Sequence, residues 1–506
     1  MASEPAPRVC VIGAGSSGIA SCQVLHARGI PFVCFEKGSK VGGNWRYMND
    51  NGMSSAYDSL SINTSRRIME YAAYPMPGDY PDFPTHRQIA AYFDAYVDHF
   101  GFRDHIRFRT EVTHVSRRED GGWEVAVDDG STASYDAVLV ANGHHWDPRW
   151  PEPPFPGEFS GEAIHSHHYK TPAGYEGKRV LVLGIGNSAC DIAVETSRVS
   201  EQTFLAMRRG AWIIPKYFGS TPSDELAPDW VARAVPLPIV RSLFMRKIKA
   251  TNGHPADFGL PEPDHKLGQA HPTISSDLLG RIGHGRVKVK PNIERLEGDC
   301  VRFADGSVER IEKIVYCTGY KISFPFFDPG LLEPSGDNRI DLYRRVVHPD
   351  LEGLYFIGLI QPLYAIMPLA ELQSEWIADV LEGVVTLPPT DHMVAEIAQD
   401  RLALERRYVA SKRHTIQVDG PPYMHQLRAE RRNCRVSGSA PHAEPAGGGR
   451  PAVALLDGKR LVEAIPRYRG RQARAAATSP RTGLTMTGAM RRMGERRREK
   501  ERRRNG

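Results

Sequence analysis

Two glycine turns, each set between a short apolar run and a helical pattern, constrain this chain more than any other feature. The first is Gly13-Ala14-Gly15-Ser16-Ser17-Gly18, after the apolar run at 8–12. The second is Gly184-Ile185-Gly186-Asn187-Ser188-Ala189, after Val180-Leu181-Val182-Leu183. A four- or five-residue apolar run ending in glycine reads as a strand buried on both faces of a parallel sheet. Helical spacing follows at 15–28, where Gly29 stops it, and again at 187–198. A second strand completes each unit, at 31–36 and at 203–207. Two βαβ units in one chain predict an α/β fold.

The turns carry a phosphate-binding fingerprint. Gly13 permits the sharp turn, Gly15 lets backbone approach a pyrophosphate, and Gly18 lets the helix pack onto the strand. The helix N-terminus then offers free N–H groups and a positive dipole. Glu36 ends the next strand, where an acid can bind ribose hydroxyls. In the second turn, Gly184 and Gly186 hold the first two places and Ala189 the third, which the fingerprint tolerates. There the following strand ends in Arg208-Arg209. A carboxylate would repel a 2′-phosphate, whereas a guanidinium grips one bidentately. The second turn is therefore expected to prefer NADP(H) over NAD(H). Two Rossmann-like units facing each other suit hydride transfer between a flavin and a nicotinamide.

The remaining chain is read more coarsely. Residues 112–127 and 130–134 suggest a hairpin around Asp128-Asp129-Gly130. Val138-Leu139-Val140-Ala141-Asn142-Gly143 runs from strand into glycine, and Ile314-Val315-Tyr316-Cys317-Thr318-Gly319 repeats the pattern. Residues 148–156 form a proline-rich linker, and 219–272 look irregular with helical patches. A strand over 354–358 and a helix over 369–381 follow, and apolar periodicity fades beyond Asp419. Lys+Arg 65 against Asp+Glu 60 gives +5 overall. The charge is uneven: residues 428–506 carry about +14, which leaves a mildly acidic body. The tail from Arg431, ending in Arg496-Arg497-Arg498 and Arg502-Arg503-Arg504, is expected to be disordered.

Cys10, Cys22, Cys34, Cys190, Cys300, Cys317 and Cys434 form no Cys-x-x-Cys pair. That argues against a disulfide framework, a zinc site and a dithiol reductase, and favours a reducing compartment. No run reaches the ~18–20 apolar residues of a membrane span. The first strand starts too early to leave room for a signal peptide. A cytoplasmic protein without metal is expected. His144-His145 and the group His165, His167, His168 lack the spacing of a clean metal site.

Between the turns lies the string Phe159, Gly161, His165, Tyr169. With it the chain resembles the flavin-containing monooxygenases. Gly42-Gly43-Asn44-Trp45-Arg46, Ser61-Ile62-Asn63-Thr64-Ser65, and the stretches 259–276 and 357–376 are similar to the family as well. The resemblance covers about residues 8–425. A tryptophan in place of Tyr169 would point instead to Baeyer–Villiger monooxygenases.

The resemblance implies FAD at the first turn and NADPH at the second. The NADP domain (161–325) is then inserted in an FAD domain made of 1–160 and 326–430, with a basic tail at 431–506. It implies FAD contacts at Gly13, Ala14, Gly15, Ser16, Ser17, Glu36, Asn44, Trp45, Asn63 and Thr64. It implies NADP contacts at Ile62, Asn63, Ser188, Ala189, Cys190 and Asp191. Asn63 matches an asparagine beside the flavin ring and is the expected catalytic residue. The expected reaction uses NADPH and O2 to oxygenate soft nitrogen or sulfur centres of small molecules through a C4a-hydroperoxyflavin. His165 is expected to hinge the linker rather than act as acid or base. Tyr364 stands where the family usually has glycine and would narrow a substrate cavity. Alternatives are Baeyer–Villiger oxidation of a ketone, an uncoupled NADPH oxidase, and an anion-binding role of the arginine-rich tail. The tail lacks interleaved aromatics, so nucleic acid is not expected as a partner. The oligomeric state is left open, a homodimer included.

Overall fold

The chain alternates strand and helix twice, and each repeat closes its own parallel sheet. The computed structural model describes residues 7–226, 235, 237–332, 334, 338–408 and 415–433. Strands β1 (Val9–Ile12), β2 (Phe32–Glu36), β3 (Ile106–Phe108) and β4 (Ala137–Val140) begin the first sheet. Strands β5 (Glu162–His165), β6 (Arg179–Leu183), β7 (Gln202–Ala206), β8 (Val287–Lys290) and β9 (Lys313–Tyr316) form the second. Strand β10 (Leu354–Phe356) then returns to the first sheet beside β4.

The orders are β10-β4-β1-β2-β3 and β5-β9-β6-β7-β8, with every pairing parallel. The two sheets are the same arrangement. Only the outer strand differs in origin, coming from downstream in the first sheet and from upstream in the second. This is the doubly wound pattern that the two βαβ units require.

Alternation builds the layers. In β1, Val9 and Val11 enter one apolar cluster while Cys10 and Ile12 enter the cluster on the opposite face. In β6, Val180 and Val182 face one way, Leu181 and Leu183 the other. Helix α1 (Ser16–Ala27) follows β1. Helix α2 (His86–Phe100) shares its cluster and begins with a Thr85–Gln88 capping box. Helix α3 (Asn187–Thr196) follows β6 and buries Ala189, Cys190, Ile192 and Ala193. Helix α4 (Leu237–Asn252) crosses the stretch read as irregular.

Helix α5 (Met367–Leu381) lies against α1, where Ser21 and Ser374 hydroxyls are 2.9 Å apart and Arg28 pairs with Asp379 and Glu382. Helices α6 (Thr390–Arg407) and α7 (Gly420–Asn433) follow.

Two local expectations needed revision. The single strand read over 112–127 is two, Val112–Arg117 and Trp123–Val127, joined with Thr132–Tyr135 in an antiparallel meander. Gly121 and Gly122, both at positive φ, make the extra turn. Residues 420–433 are helical, although the helix buries just the side chains of Tyr423 and Leu427, with Met424 partly buried beside them. Charge supplies the rest: Arg431 pairs with Asp379 at 2.6 Å and with Glu375. Arg431, where the expected tail begins, thus sits in α7, and residues 434–506 lie outside the described residues. Among the described residues no helix is long and apolar enough to cross a membrane. None of the six described cysteines is in a disulfide, and no described group of three His, Cys, Asp or Glu could hold a metal ion.

Candidate functional site

The first turn is shaped by what a side chain would strike. A Cβ on Gly13, whose φ is +96°, would lie 2.8 Å from the Ala141 carbonyl oxygen at the end of β4. A Cβ on Gly18 would lie 1.8 Å from the Gly13 carbonyl oxygen. Gly15 is different: the nearest atom to its Cβ position is the Gly43 Cα at 3.7 Å, across an opening. Gly15 caps α1, and the first helical bond is Ile19 N–H to its carbonyl. The N–H groups of Ser16, Ser17 and Gly18 are therefore left for a ligand. No side chain caps the helix and its first turn holds no acid. Those are the conditions for binding phosphate.

Glu36 lies buried at the end of β2. Its carboxylate accepts 2.8 Å bonds from Ala14 N–H and Gly38 N–H and a 3.2 Å bond from the Asn51 amide. Burial raises its pKa, and these donors partly offset the rise.

A cavity of about 690 Å³ opens from the turn. Gly13, Gly15, Ser16, Ser17, Glu36, Asn44, Trp45, Asn63 and Thr64 line it. Ala14, Gly18 and Ile62 do not. Ala14 and Ile62 are fully buried, and Gly18 is closed in by the turn. Five asparagines reach the cavity, and four spend their amides on the fold. Asn44 accepts from Ser55, Asn51 donates to Glu36, Asn142 donates to Ser323, and Asn187 accepts from Ile274. Asn63 has no side-chain hydrogen bond among the described residues. The volume, the uncapped helix and the buried carboxylate together fit a bound dinucleotide.

The second turn repeats the backbone. Gly184 has φ +136°, and its Cβ would lie 2.7 Å from the Cys317 carbonyl oxygen after β9. Gly186 caps α3 without a side-chain bond, and again no acid stands in the first turn. Cys190 N–H makes the first helical bond, so the Asn187, Ser188 and Ala189 N–H groups are free. Ala189 and Cys190 themselves are core side chains. Asp191 is held inside, accepting the Tyr57 hydroxyl at 2.5 Å, and burial raises its pKa to about 6. Arg208 and Arg209 are exposed past the end of β7, and Arg209 lies 3.5 Å from Asp264. Of the second turn only Asn187 lines the cavity; Gly184, Gly186, Ser188, Ala189, Cys190, Asp191, Arg208 and Arg209 do not. From this half, Asn187, Ile214, Ser223, Asp224, Phe244, His271, Pro272 and Ile274 do.

The intervening string is structural in its contacts. A Cβ on Gly161 would sit 2.4 Å from the Glu312 carbonyl oxygen and 2.6 Å from the Phe159 ring. His165 is buried beside Trp150 and Tyr320, its Nδ1 accepting His167 N–H. Burial lowers its pKa to about 4, so the ring is neutral. Tyr169 donates to Glu195 on α3 and meets Tyr57 edge-on. Tyr364 lines the cavity and covers Gly420, whose Cβ position is 2.2 Å from the Tyr364 Cβ.

Two lysines were missed from sequence. Lys170 donates to the carbonyls of Ser54, Ala56 and His167. Lys216 donates to Ser61 Oγ at 2.7 Å and the Ile62 carbonyl at 3.1 Å. Neither lies in a local motif, because its meaning depends on a loop more than a hundred residues away.

The family described as Flavin-binding monooxygenase-like matches residues 6–433. Flavin-containing monooxygenase 5 of Oryctolagus cuniculus is 41% identical, covering 81% of this chain and 80% of its own. Dimethylaniline monooxygenase [N-oxide-forming] 2 of Oryctolagus cuniculus is 36% identical, covering 84% and 82%. Among solved structures, S-allyl-L-cysteine S-oxygenase from Allium sativum aligns with TM-score 0.64 and 26% identity over 85% of this chain and 90% of that one.

Proposed function

The chain belongs to the flavin-binding monooxygenase-like family, and from that membership we propose that it oxygenates soft nitrogen or sulfur centres of small molecules. It is an NADPH-dependent flavoprotein oxidoreductase. The overall balance is substrate plus O2, NADPH and a proton going to oxygenated substrate, water and NADP+. When bound, FAD supplies the redox and oxygen chemistry, and the protein supplies position and dryness.

The observation that carries the reading is Asn63. Its amide points no hydrogen bond at the protein, while the other cavity asparagines are all engaged. A half-buried amide kept free on a cavity wall is suited to bind a reacting group or the nicotinamide. At the first turn the uncapped α1 N-terminus is suited to a pyrophosphate, and Glu36 to ribose hydroxyls. At the second, the α3 N-terminus and Arg208-Arg209 are suited to NADP(H). Asn44, Trp45 and Thr64 line the same cavity and would flank the flavin, closing it from water. His165, neutral and buried, holds the connection between sheets rather than moving a proton. Two relatives named for forming an N-oxide and for S-oxygenation support the choice of heteroatom.

The test is a set of parallel incubations of the FAD-loaded protein with NADPH and isotope-labelled O2. A tertiary amine, a thioether and a cyclic ketone are offered separately, with mass detection of label. One labelled oxygen in the amine oxide or sulfoxide is the expected result. Label in an ester would move the reading to ketone oxidation. NADPH use that yields only hydrogen peroxide would make the protein an oxidase.

A further inference from the structure

The loop that carries Asn63 belongs by sequence to the first half of the chain, where Ile62 N–H donates to the Pro84 carbonyl and His86 N–H to the Leu60 carbonyl, and it is fastened to the second half as well. Tyr57 donates to Asp191 on α3. Asp58 N–H donates to the Lys170 carbonyl. Lys216 holds Ser61 and Ile62, the two residues before Asn63. Ser65 N–H donates to Asp224 at 2.7 Å, and Arg67 reaches Glu225 at 3.2 Å. Below the loop, Tyr217 donates to Asp82 and packs edge-on against Phe83, with the Lys216 ammonium 5.0 Å from the same ring.

Lys216 is the closest of these anchors to Asn63. Its ammonium is desolvated, which lowers its pKa, and the buried Asp191 carboxylate opposes that loss. Asp191 stands on the first turns of α3, one turn beyond the N–H groups that the second glycine turn leaves free. Two short physical paths therefore leave the second turn, and both end on the Asn63 loop. One runs from Asp191 to Tyr57. The other runs from Asn187, whose Oδ1 accepts Ile274 N–H at 2.7 Å, through the pairing of Ile274 with Ile214 to the segment of Lys216, whose N–H donates to Ser276 Oγ at 3.2 Å. The steps are hydrogen bonds and a strand pairing.

We propose that Lys216 is a positioning residue that couples nucleotide binding at the second turn to the placement of Asn63. This rests on the reading of that turn as the NADP(H) cradle. A ligand that orders the start of α3 would fix Asp191 and Asn187, and through Tyr57 from the one and Lys216 from the other would fix the loop at 57–65. Asn63 would then be held in its working position only while the second nucleotide is bound. The device favours reaction with both cofactors present.

Amide hydrogen exchange on the FAD-loaded protein, with and without NADP+, tests the coupling without turnover. In the parent, NADP+ should protect peptides over 184–191 and also over 57–65. In Lys216→Met, protection over 184–191 should remain and protection over 57–65 should be lost, while Lys216→Arg should restore it. Protection over 57–65 that persists in Lys216→Met overturns the proposal, as does its absence in the parent. No protection over 184–191 in the parent overturns the nucleotide assignment and the coupling together. A kinetic cycle guards against a folding artefact. Lys216→Met should lower kcat about tenfold in the parent, and hardly at all in an Asn63→Ala background. Equal losses in both backgrounds would mean that Lys216 acts elsewhere.

Discussion

At the first glycine turn the helix nearly touches its strand, and at the second it stands back. Gly18 has no space for a methyl group, because the Gly13 carbonyl fills it. Ala189, in the same place of the second turn, has its methyl buried, and a Cβ on Gly184 would still be 3.5 Å away from it. The strand ends differ as well. The first places a buried carboxylate, Glu36, against its own turn, whereas the second places two exposed arginines beyond it. Both helices leave their first N–H groups uncapped, unlike α2, which closes its start with Thr85 and Gln88. The shared bare helix ends speak for phosphate at both turns. The differing surroundings speak for ligands that differ at the ribose.

The comparison breaks most easily at Gly18. Gly18→Ala sets a methyl against backbone that cannot move without opening the turn. Its cost should exceed the ~1–3 kcal/mol of ordinary overpacking. FAD content per chain after purification should collapse, and urea unfolding should shift to lower denaturant. Full flavin content in this variant would show that the first helix is not held as tightly as the geometry states.

A smaller effect separates the two buried carboxylates. Asp191 rises from an ordinary 3.8 to about 6 on folding. Its folded pKa lies above its unfolded one, so the native state binds the extra proton between those values. Stability from this group is therefore greatest below pH 4 and falls as pH rises towards 6. The fall amounts to about 3 kcal/mol. Asp191→Asn can still accept the Tyr57 hydroxyl but cannot ionise. Urea melts across that range should show the parent losing stability relative to the variant. Parallel curves would mean that Lys216 and solvent neutralise Asp191 more fully than its burial suggests.

Most of this frame was legible in sequence because it is local. A short apolar run, a glycine and a helix are neighbours in the chain, so the β1–α1–β2 and β6–α3–β7 units could be read directly. The placing of β5 and β10 as the outer strands of their sheets was not, since their partners β9 and β4 lie more than a hundred residues away in the chain. The candidate site divides in the same way. Gly13, Gly15 and Glu36 stand where their motif predicts, around one cavity. Lys170, Lys216 and Asp224 act on a loop far away in sequence, and no spacing rule finds them. Resemblance brought Asn63 forward, but only the geometry distinguishes it from Asn44 or Asn142, whose amides are occupied.

The arginines give the next test in size. Arg208→Ala should raise KM for NADPH about tenfold with kcat unchanged, the loss of one phosphate contact. NADH use should not change. Arg209→Ala should do less, because Asp264 already draws on that guanidinium. An equal rise for both nucleotides would remove the distinction between the two strand ends.

The smallest effect returns to the third position of the turns. Ala189→Gly makes the second turn imitate the first in sequence but not in packing. Helix α3 already stands off, so the variant gains no contact and leaves a methyl-sized gap. A glycine inside the first helical turn adds its own cost in chain entropy. Together these predict a loss of about 1–2 kcal/mol, read from urea melts, with FAD content intact. KM for NADPH should change less than threefold, since the backbone N–H that faces a phosphate is kept. If Ala189→Gly instead tightened nucleotide binding, the gap between α3 and its strand would be a strain that the methyl group maintains. The two turns would then differ by that one side chain rather than by the whole seating of their helices.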